Sequence, residues 1–143
     1  MRIIKQNILY ISWAVAAISM AGSLFFSNIL YFPPCVLCWY QRIAMYPLVL
    51  IIGVGIFKKD KLLPYYVLPL SIVGGLIALY HNLLYYHVLP NSVAPCEAGI
   101  SCTTRFIQWS GFITIPFLSF CSFVIITICM VIYKKSMSSS PNL

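Results

Sequence analysis

Charge is what this chain lacks. Only 8% of its 143 residues are charged, and the acidic ones are just Asp60 and Glu97. Soluble domains carry roughly 25% charged residues, so a water-soluble domain is excluded. The sequence has no flavin or nucleotide fingerprint and no Gly-rich phosphate loop. Its histidines, His81 and His87, are poorly spaced to ligate a haem together. The formal net charge of +7 would suit a nucleic-acid binder. Its distribution argues otherwise, because Arg2, Lys5, Lys58, Lys59, Lys61, Lys134 and Lys135 all flank apolar segments. Lipid headgroups account for them without any nucleic acid.

What remains is mostly apolar, 62% of the chain. The run from Ile8 to Phe26 would make a helix of about 28 Å, enough to cross a bilayer. It exceeds the h-region of a signal peptide, and cleavage there would leave an uneven set of spans. The whole pattern predicts an all-α membrane protein, a four transmembrane helix bundle forming one domain over residues 1–143. The expected spans are residues 8–30, 38–57, 65–84 and 112–133. Phe32 to Cys35 is a very short turn, and Lys58 to Lys61 is a compact charged one. Pro47 is placed to bend the second span. Gly74 and Gly75 permit close helix approach in the third, where lipid supplies no hydrophobic drive. Residues 85–111 form the single long loop, in which Phe106, Ile107 and Trp109 are apolar enough to rest at the membrane surface. The polar tail 136–143 is expected to be disordered. An even number of spans brings both ends to one side. The basic residues gather there, which makes both termini cytoplasmic by the positive-inside rule.

That topology puts Cys35 and Cys38 on the outer face together with Cys96 and Cys102. The centre of the sequence is Cys35-Val-Leu-Cys-Trp-Tyr-Gln-Arg42. Pro33 and Pro34 hinder a helix before it. A helix beginning near Cys35 aims free N–H groups at the thiols and favours thiolate. Arg42 falls one turn beyond Cys38 on the same face, where a cation can hold a thiolate or an anionic ligand oxygen. Two cysteine pairs on one face suggest a thiol–disulfide relay through mixed disulfides. Cys96 and Cys102 lie in a polar loop that a soluble protein can reach. Cys35 and Cys38 lie against the bilayer, within reach of a lipid-borne oxidant. Electrons would pass from loop pair to membrane pair to a quinone, the simplest two-electron acceptor dissolved there. Structural disulfides, with three possible pairings, and four thiolates around zinc are the alternatives. The wide spacing of Cys96 and Cys102 fits zinc poorly, and no metal is expected. Cys121 and Cys129, inside the fourth span, are expected to pack as small hydrophobes. His81 is costly in a span unless it pairs or serves. It is either an interfacial histidine bonded to backbone or water, or a donor to a quinone oxygen.

With four spans, the motif from Cys35 to Arg42 and a second outer loop with two cysteines, the chain resembles the disulfide bond formation protein B (DsbB) family over about residues 5–135. Its short inner turn and brief tail look most like the Gram-positive BdbC-type members, and vitamin K epoxide reductase is a distant relative. The resemblance implies a multi-pass enzyme of the bacterial cytoplasmic membrane. Such an enzyme reoxidises a thioredoxin-fold thiol oxidase on the outer face and passes the electrons to ubiquinone or menaquinone. It further implies that Cys38 faces the quinone and Cys35 exchanges. Cys96 would be attacked by the soluble oxidase, and Cys102 would exchange with Cys35. Arg42 and His81 would contact the quinone.

Overall fold

The computed structural model describes residues 2–90, 92, 102 and 114–139. Cys96, Glu97, Arg105, Phe106, Ile107 and Trp109 lie outside the described residues. The described residues form four α-helices: α1 (Arg2–Asn28), α2 (Val36–Lys58), α3 (Leu63–Tyr85) and α4 (Ile115–Ser138). All four are long and apolar enough to cross a membrane. Apolar sequence this long becomes helix in a bilayer because only a helix or a closed barrel bonds its own backbone there. α4 continues through Ser138, so residues 136–138 at the start of the expected tail are helical.

Each turn is built from local chemistry. After α1 the chain reverses at Tyr31, which has a left-handed φ of 53°, and Phe32 N–H bonds the Phe26 carbonyl at 3.0 Å. α2 ends at Lys59, also left-handed, whose N–H reaches the Gly55 and Ile56 carbonyls. Satisfying late carbonyls in this way is the usual chemistry of a helix C-terminus. Asp60 then caps the turn: its carboxylate accepts from the Leu62 N–H at 2.8 Å and from the Tyr66 hydroxyl. The Tyr66 hydroxyl first, and then the Leu62 N–H, hold this carboxyl below its ordinary range. α4 opens on Thr114, whose side chain accepts from Phe117 N–H at 3.3 Å, with Pro116 in its first turn.

The helices form a closed ring in which α1 packs on α2 and α4, and α3 packs on α2 and α4. Polar contacts tie the neighbours together. The Trp13 indole N–H donates to the Val49 carbonyl at 3.2 Å between α1 and α2. Ser19 donates to Ser122 at 2.7 Å between α1 and α4. Ser71 and Thr127 meet at 3.0 Å between α3 and α4. At one end of the bundle, Asn82 donates to the Pro116 carbonyl at 3.0 Å. At the other, the Lys134 ammonium lies 4.5 Å from the centre of the Tyr65 ring. α3 and α4 are therefore antiparallel. Each such contact contributes of order 0.6 kcal/mol in membranes, so packing supplies the rest. Leu48, Ile52, Val67, Phe123, Ile126 and Met130 fill the interior, while apolar residues such as Ile18, Leu50 and Phe57 point outward. α2 and α3 run on through Pro47 and Pro69. Each ring removes one helical N–H donor, a defect that membrane helices tolerate.

Gly74 has a close approach to defend. A Cβ there would run into the ring of Phe123, a fully buried residue with no room to withdraw. At Gly75 a Cβ would meet Phe123 Cβ at 3.5 Å, an ordinary contact. Gly74→Ala should therefore destabilise the bundle by about 1–3 kcal/mol, the usual cost of overpacking. Gly75→Ala should be neutral, or stabilising by up to about 1 kcal/mol through helix propensity. Unfolding in detergent followed by circular dichroism checks this, and equal losses in the two variants would contradict the packing described.

Candidate active site

The site sits at the mouth of α2. Pro33 and Pro34 keep the chain extended, and Cys35 follows with φ −71° and ψ 172° as the N-cap residue. Its sulfur accepts from the Cys38 N–H at 3.3 Å, as a serine or threonine oxygen does at other helix starts. The x-x spacing thus serves two ends: it caps the helix and brings Cys38 beside Cys35. Both are free thiols, with sulfurs 2.9 Å apart. Cys35 is 7% exposed.

His81 joins the parts. It lies in the last turns of α3 and is 2% exposed. Its Nε2 is 3.2 Å from the Cys102 carbonyl and 3.8 Å from Cys35 Sγ. Its Nδ1 is 2.9 Å from the Gln41 amide nitrogen. A carbonyl can only accept, so Nε2 carries a proton. In the neutral ring Nδ1 then accepts from Gln41, and the amide orientation agrees. One buried ring therefore spans α2, α3 and the loop cysteine. Cys102 is disulfide-bonded and shares a buried cluster with Cys35, Leu37 and Leu84. Cys102, being in a disulfide, has no thiolate to give to a zinc ion shared with Cys35 and Cys38.

The Cys38 thiol, donating to Cys35, lowers the Cys35 pKa from its ordinary 9.0 to about 4. Burial opposes this, while contact with His81 and the Cys38 N–H reinforce it. The exchange-active form, the thiolate, is thus the stable form of Cys35 near neutral pH.

Arg42 extends beside the pair. It donates from Nη2 to the Ser23 carbonyl of α1 at 2.9 Å, and its guanidinium lies 5.6 Å from the centre of the Trp39 ring. Among the described residues no other hydrogen bond of its guanidinium is seen, which leaves donors that a ligand could use. A cavity of about 450 Å³ opens here, bordered by Cys35, Cys38, Gln41, Arg42, Tyr46, His81 and Tyr85, with apolar and serine side chains from α1 and α4 completing it. Cys121 also reaches this cavity, whereas Cys129 does not line it. His87 lies outside, exposed and with a left-handed φ of 57°.

Sequence reasoning assigned no part to Gln41, Tyr46 or Tyr85. Gln41 was visible as a polar residue inside an apolar span, and its burial marks it as a partner to something. The Tyr46 and Tyr85 hydroxyls are buried with no hydrogen-bond partner among the described residues. Nothing in the sequence separates them from the chain's other tyrosines.

Known proteins match this sequence. The profile of the family described as disulfide bond formation protein DsbB matches residues 5–133. Disulfide bond formation protein C of Bacillus subtilis is 48% identical, covering 91% of this chain and 94% of its own. A probable disulfide formation protein C of Halalkalibacterium halodurans is 46% identical, covering 87% and 90%. A probable disulfide formation protein C 1 of Bacillus anthracis is 44% identical, covering 92% and 95%. No solved structure matches the chain.

The Cys35 environment has a pH signature. Its thiolate is fully formed above the lowered pKa and is lost as pH falls through it. Alkylation of Cys35 in the reduced protein should be half-maximal near pH 4 and not near 9. Cys38→Ala, which removes the leading donor, should move that midpoint up by more than one pH unit. Iodoacetamide rates against pH, read by peptide mass spectrometry, check both. A wild-type midpoint near 9 would contradict the geometry.

Proposed function

This chain belongs to the disulfide bond formation protein DsbB family, and from that premise we propose that it reoxidises an extracytoplasmic thioredoxin-fold thiol oxidase and delivers the electrons to a membrane quinone. It is a multi-pass membrane thiol–disulfide oxidoreductase of the bacterial inner membrane that acts through cysteines. One observation carries the relay: Cys102, in a disulfide, is buried against the Cys35/Cys38 mouth and tied to it through His81. Cys102 of the loop therefore meets the membrane pair in one place.

In this reading the reduced oxidase attacks Cys96, and a mixed disulfide forms as the Cys102 thiolate leaves. Cys102 then attacks Cys35 of the oxidised membrane pair, and the Cys38 thiolate leaves. The second thiolate of the oxidase closes its own disulfide and releases Cys96, which attacks Cys102, restores the loop disulfide and frees Cys35. Each exchange makes one disulfide and breaks one, so electrons move without external reagents.

A quinone, when bound, supplies a two-electron, two-proton acceptor. The cavity suits such a group. Its volume lies within the range of small-molecule sites, about 300–1,000 Å³. Cys38 lies on its wall, and Arg42 can offer donors to a ligand oxygen. The orphaned hydroxyls of Tyr46 and Tyr85 are what a carbonyl-bearing ligand would satisfy. His81, also on the wall, has both ring nitrogens engaged by Gln41 and Cys102. Its contribution to quinone binding would be to hold the cavity's edge beside Cys35. The basic residues at the end of the bundle shared by Lys58, Lys59, Lys61 and Lys134 support cytoplasmic termini and an outward-facing site.

Oxidation of a reduced thioredoxin-fold partner, coupled to quinone reduction by purified protein, tests the whole reading. Serine at Cys35, Cys38, Cys96 or Cys102 should abolish turnover. Normal turnover in Cys96→Ser would sink the relay. Arg42→Lys should raise the quinone KM or lower kcat, and Arg42→Gln should do more harm. The Tyr46→Phe/Tyr85→Phe double variant should raise the quinone KM several-fold, while the pH profile of Cys35 alkylation stays unchanged. Orientation has its own measurement. Impermeant maleimide added to intact, reduced cells should label Cys96 or Cys102, and labelling only after permeabilisation would reverse the topology.

A further inference from the structure

The mouth of α2 holds more than a dithiol. The Cys35 and Cys38 sulfurs and a ring nitrogen of His81 all lie within 4.8 Å of one another. We propose that these three side chains, once the dithiol is reduced, form a binding site for a thiophilic divalent cation of the zinc type, and that the bound cation blocks reoxidation of the pair.

The distances support this. With Zn–S near 2.3 Å and Zn–N near 2.0–2.1 Å, tetrahedral ligand atoms stand about 3.5–3.8 Å apart. Here the sulfurs are 2.9 Å apart and Cys35 Sγ is 3.8 Å from His81 Nε2. A cation would spread the thiolates by less than about 1 Å and draw the ring slightly inward. No backbone rearrangement is needed, because the N-cap already fixes Cys35 relative to Cys38. Two thiolates neutralise a divalent cation, and the Arg42 guanidinium is turned towards the Ser23 carbonyl and the Trp39 ring. The three ligands all line the cavity, so the fourth tetrahedral position opens onto it. Two cysteines, one histidine and an open position is a recurrent zinc arrangement.

Gln41 makes the histidine usable. Coordination through Nε2 requires that nitrogen to give up its proton and its contact with the Cys102 carbonyl. The ring proton must then sit on Nδ1 and find an acceptor. Gln41 already lies 2.9 Å from Nδ1, and a half-turn of its amide presents oxygen in place of nitrogen. Metal-bound histidines depend on a partner of this kind. A leucine or a lysine at position 41 could not serve both tautomers.

The consequence is a redox gate. An oxidised Cys35–Cys38 disulfide has no thiolate to offer, so the cation binds only the reduced state, which the proposed relay visits in each cycle. While it is bound, neither sulfur is free to form the disulfide. Among the described residues, this is the one group of three such ligands close enough together to share an ion.

Cobalt(II) is the probe. Full-length protein in detergent is reduced, freed of reductant without oxygen and titrated with Co²⁺. One equivalent should give a thiolate-to-cobalt charge-transfer band and tetrahedral d–d bands, all displaced by Zn²⁺. The oxidised protein should give neither. The bands should persist in Cys96→Ser/Cys102→Ser and in Cys121→Ser/Cys129→Ser, and should be lost in Cys38→Ser. His81→Ala and Gln41→Leu should each weaken binding tenfold or more. Absence of the bands in reduced wild type, or bands indifferent to His81→Ala and Gln41→Leu alike, overturns the site. Because this titration uses neither partner nor quinone, its failure leaves the relay standing. Failure of the relay assay likewise leaves the metal result standing.

Discussion

Hydrocarbon does not hydrate a peptide group, and the rest of this molecule follows from that constraint. Each span must close its own backbone bonds as a helix. Each polar side chain within must find a partner in a neighbouring helix or a reason to go without. Most find partners: Trp13 on Val49, Ser19 on Ser122, Asn82 on Pro116. These contacts are individually weak, but they fix which helices are neighbours and at what height. The chain's few charges are correspondingly expelled to the ends. There Lys134 finds the Tyr65 ring, and Asp60 caps a turn.

The same constraint explains the site. His81 in a dry bundle must have both nitrogens engaged, and the available groups are Gln41 on α2 and the Cys102 carbonyl. Satisfying one costly residue thereby brings the start of α2, the end of α3 and the loop cysteine to one point. Cys35 joins them because it caps α2, and there the Cys38 thiol, ahead of His81 and the Cys38 N–H, stabilises its thiolate. Structural and chemical roles coincide in these residues. A single replacement there alters geometry and reactivity together, which makes the separate readouts of pH profile, KM and metal binding necessary.

Tyr46 and Tyr85, whose hydroxyls have no partner among the described residues, line the cavity beside the dithiol. The Ser12 hydroxyl and the Asn82 amide oxygen are also buried without a partner among the described residues, but only the two tyrosines line the cavity, where a ligand oxygen would complete them. In the proposed relay the cavity would connect the redox pair with a lipid-soluble acceptor, and the disulfide of Cys102 would connect it with the aqueous side. A cation that filled the thiolate mouth would interrupt both connections.

The sequence by itself determined the class and the chemistry. Runs such as Ile8 to Phe26 must be helices in lipid, because no other single segment can satisfy its backbone there. Cys35-x-x-Cys38 after Pro33-Pro34 must stand at a helix start, because proline bars a helix before it. Those are local rules, readable from adjacent residues. The part taken by Gln41, the orphaned hydroxyls of Tyr46 and Tyr85 and the clash reserved at Gly74 were decided only by the tertiary structure. Gln41 acquires its meaning from His81, forty positions away along the chain. Gly74 acquires its meaning from Phe123 on another helix. A tyrosine's hydroxyl is orphaned only once every neighbour has been placed. Such properties belong to distances between helices. Side-chain packing sets those distances, and no pattern along one segment encodes them.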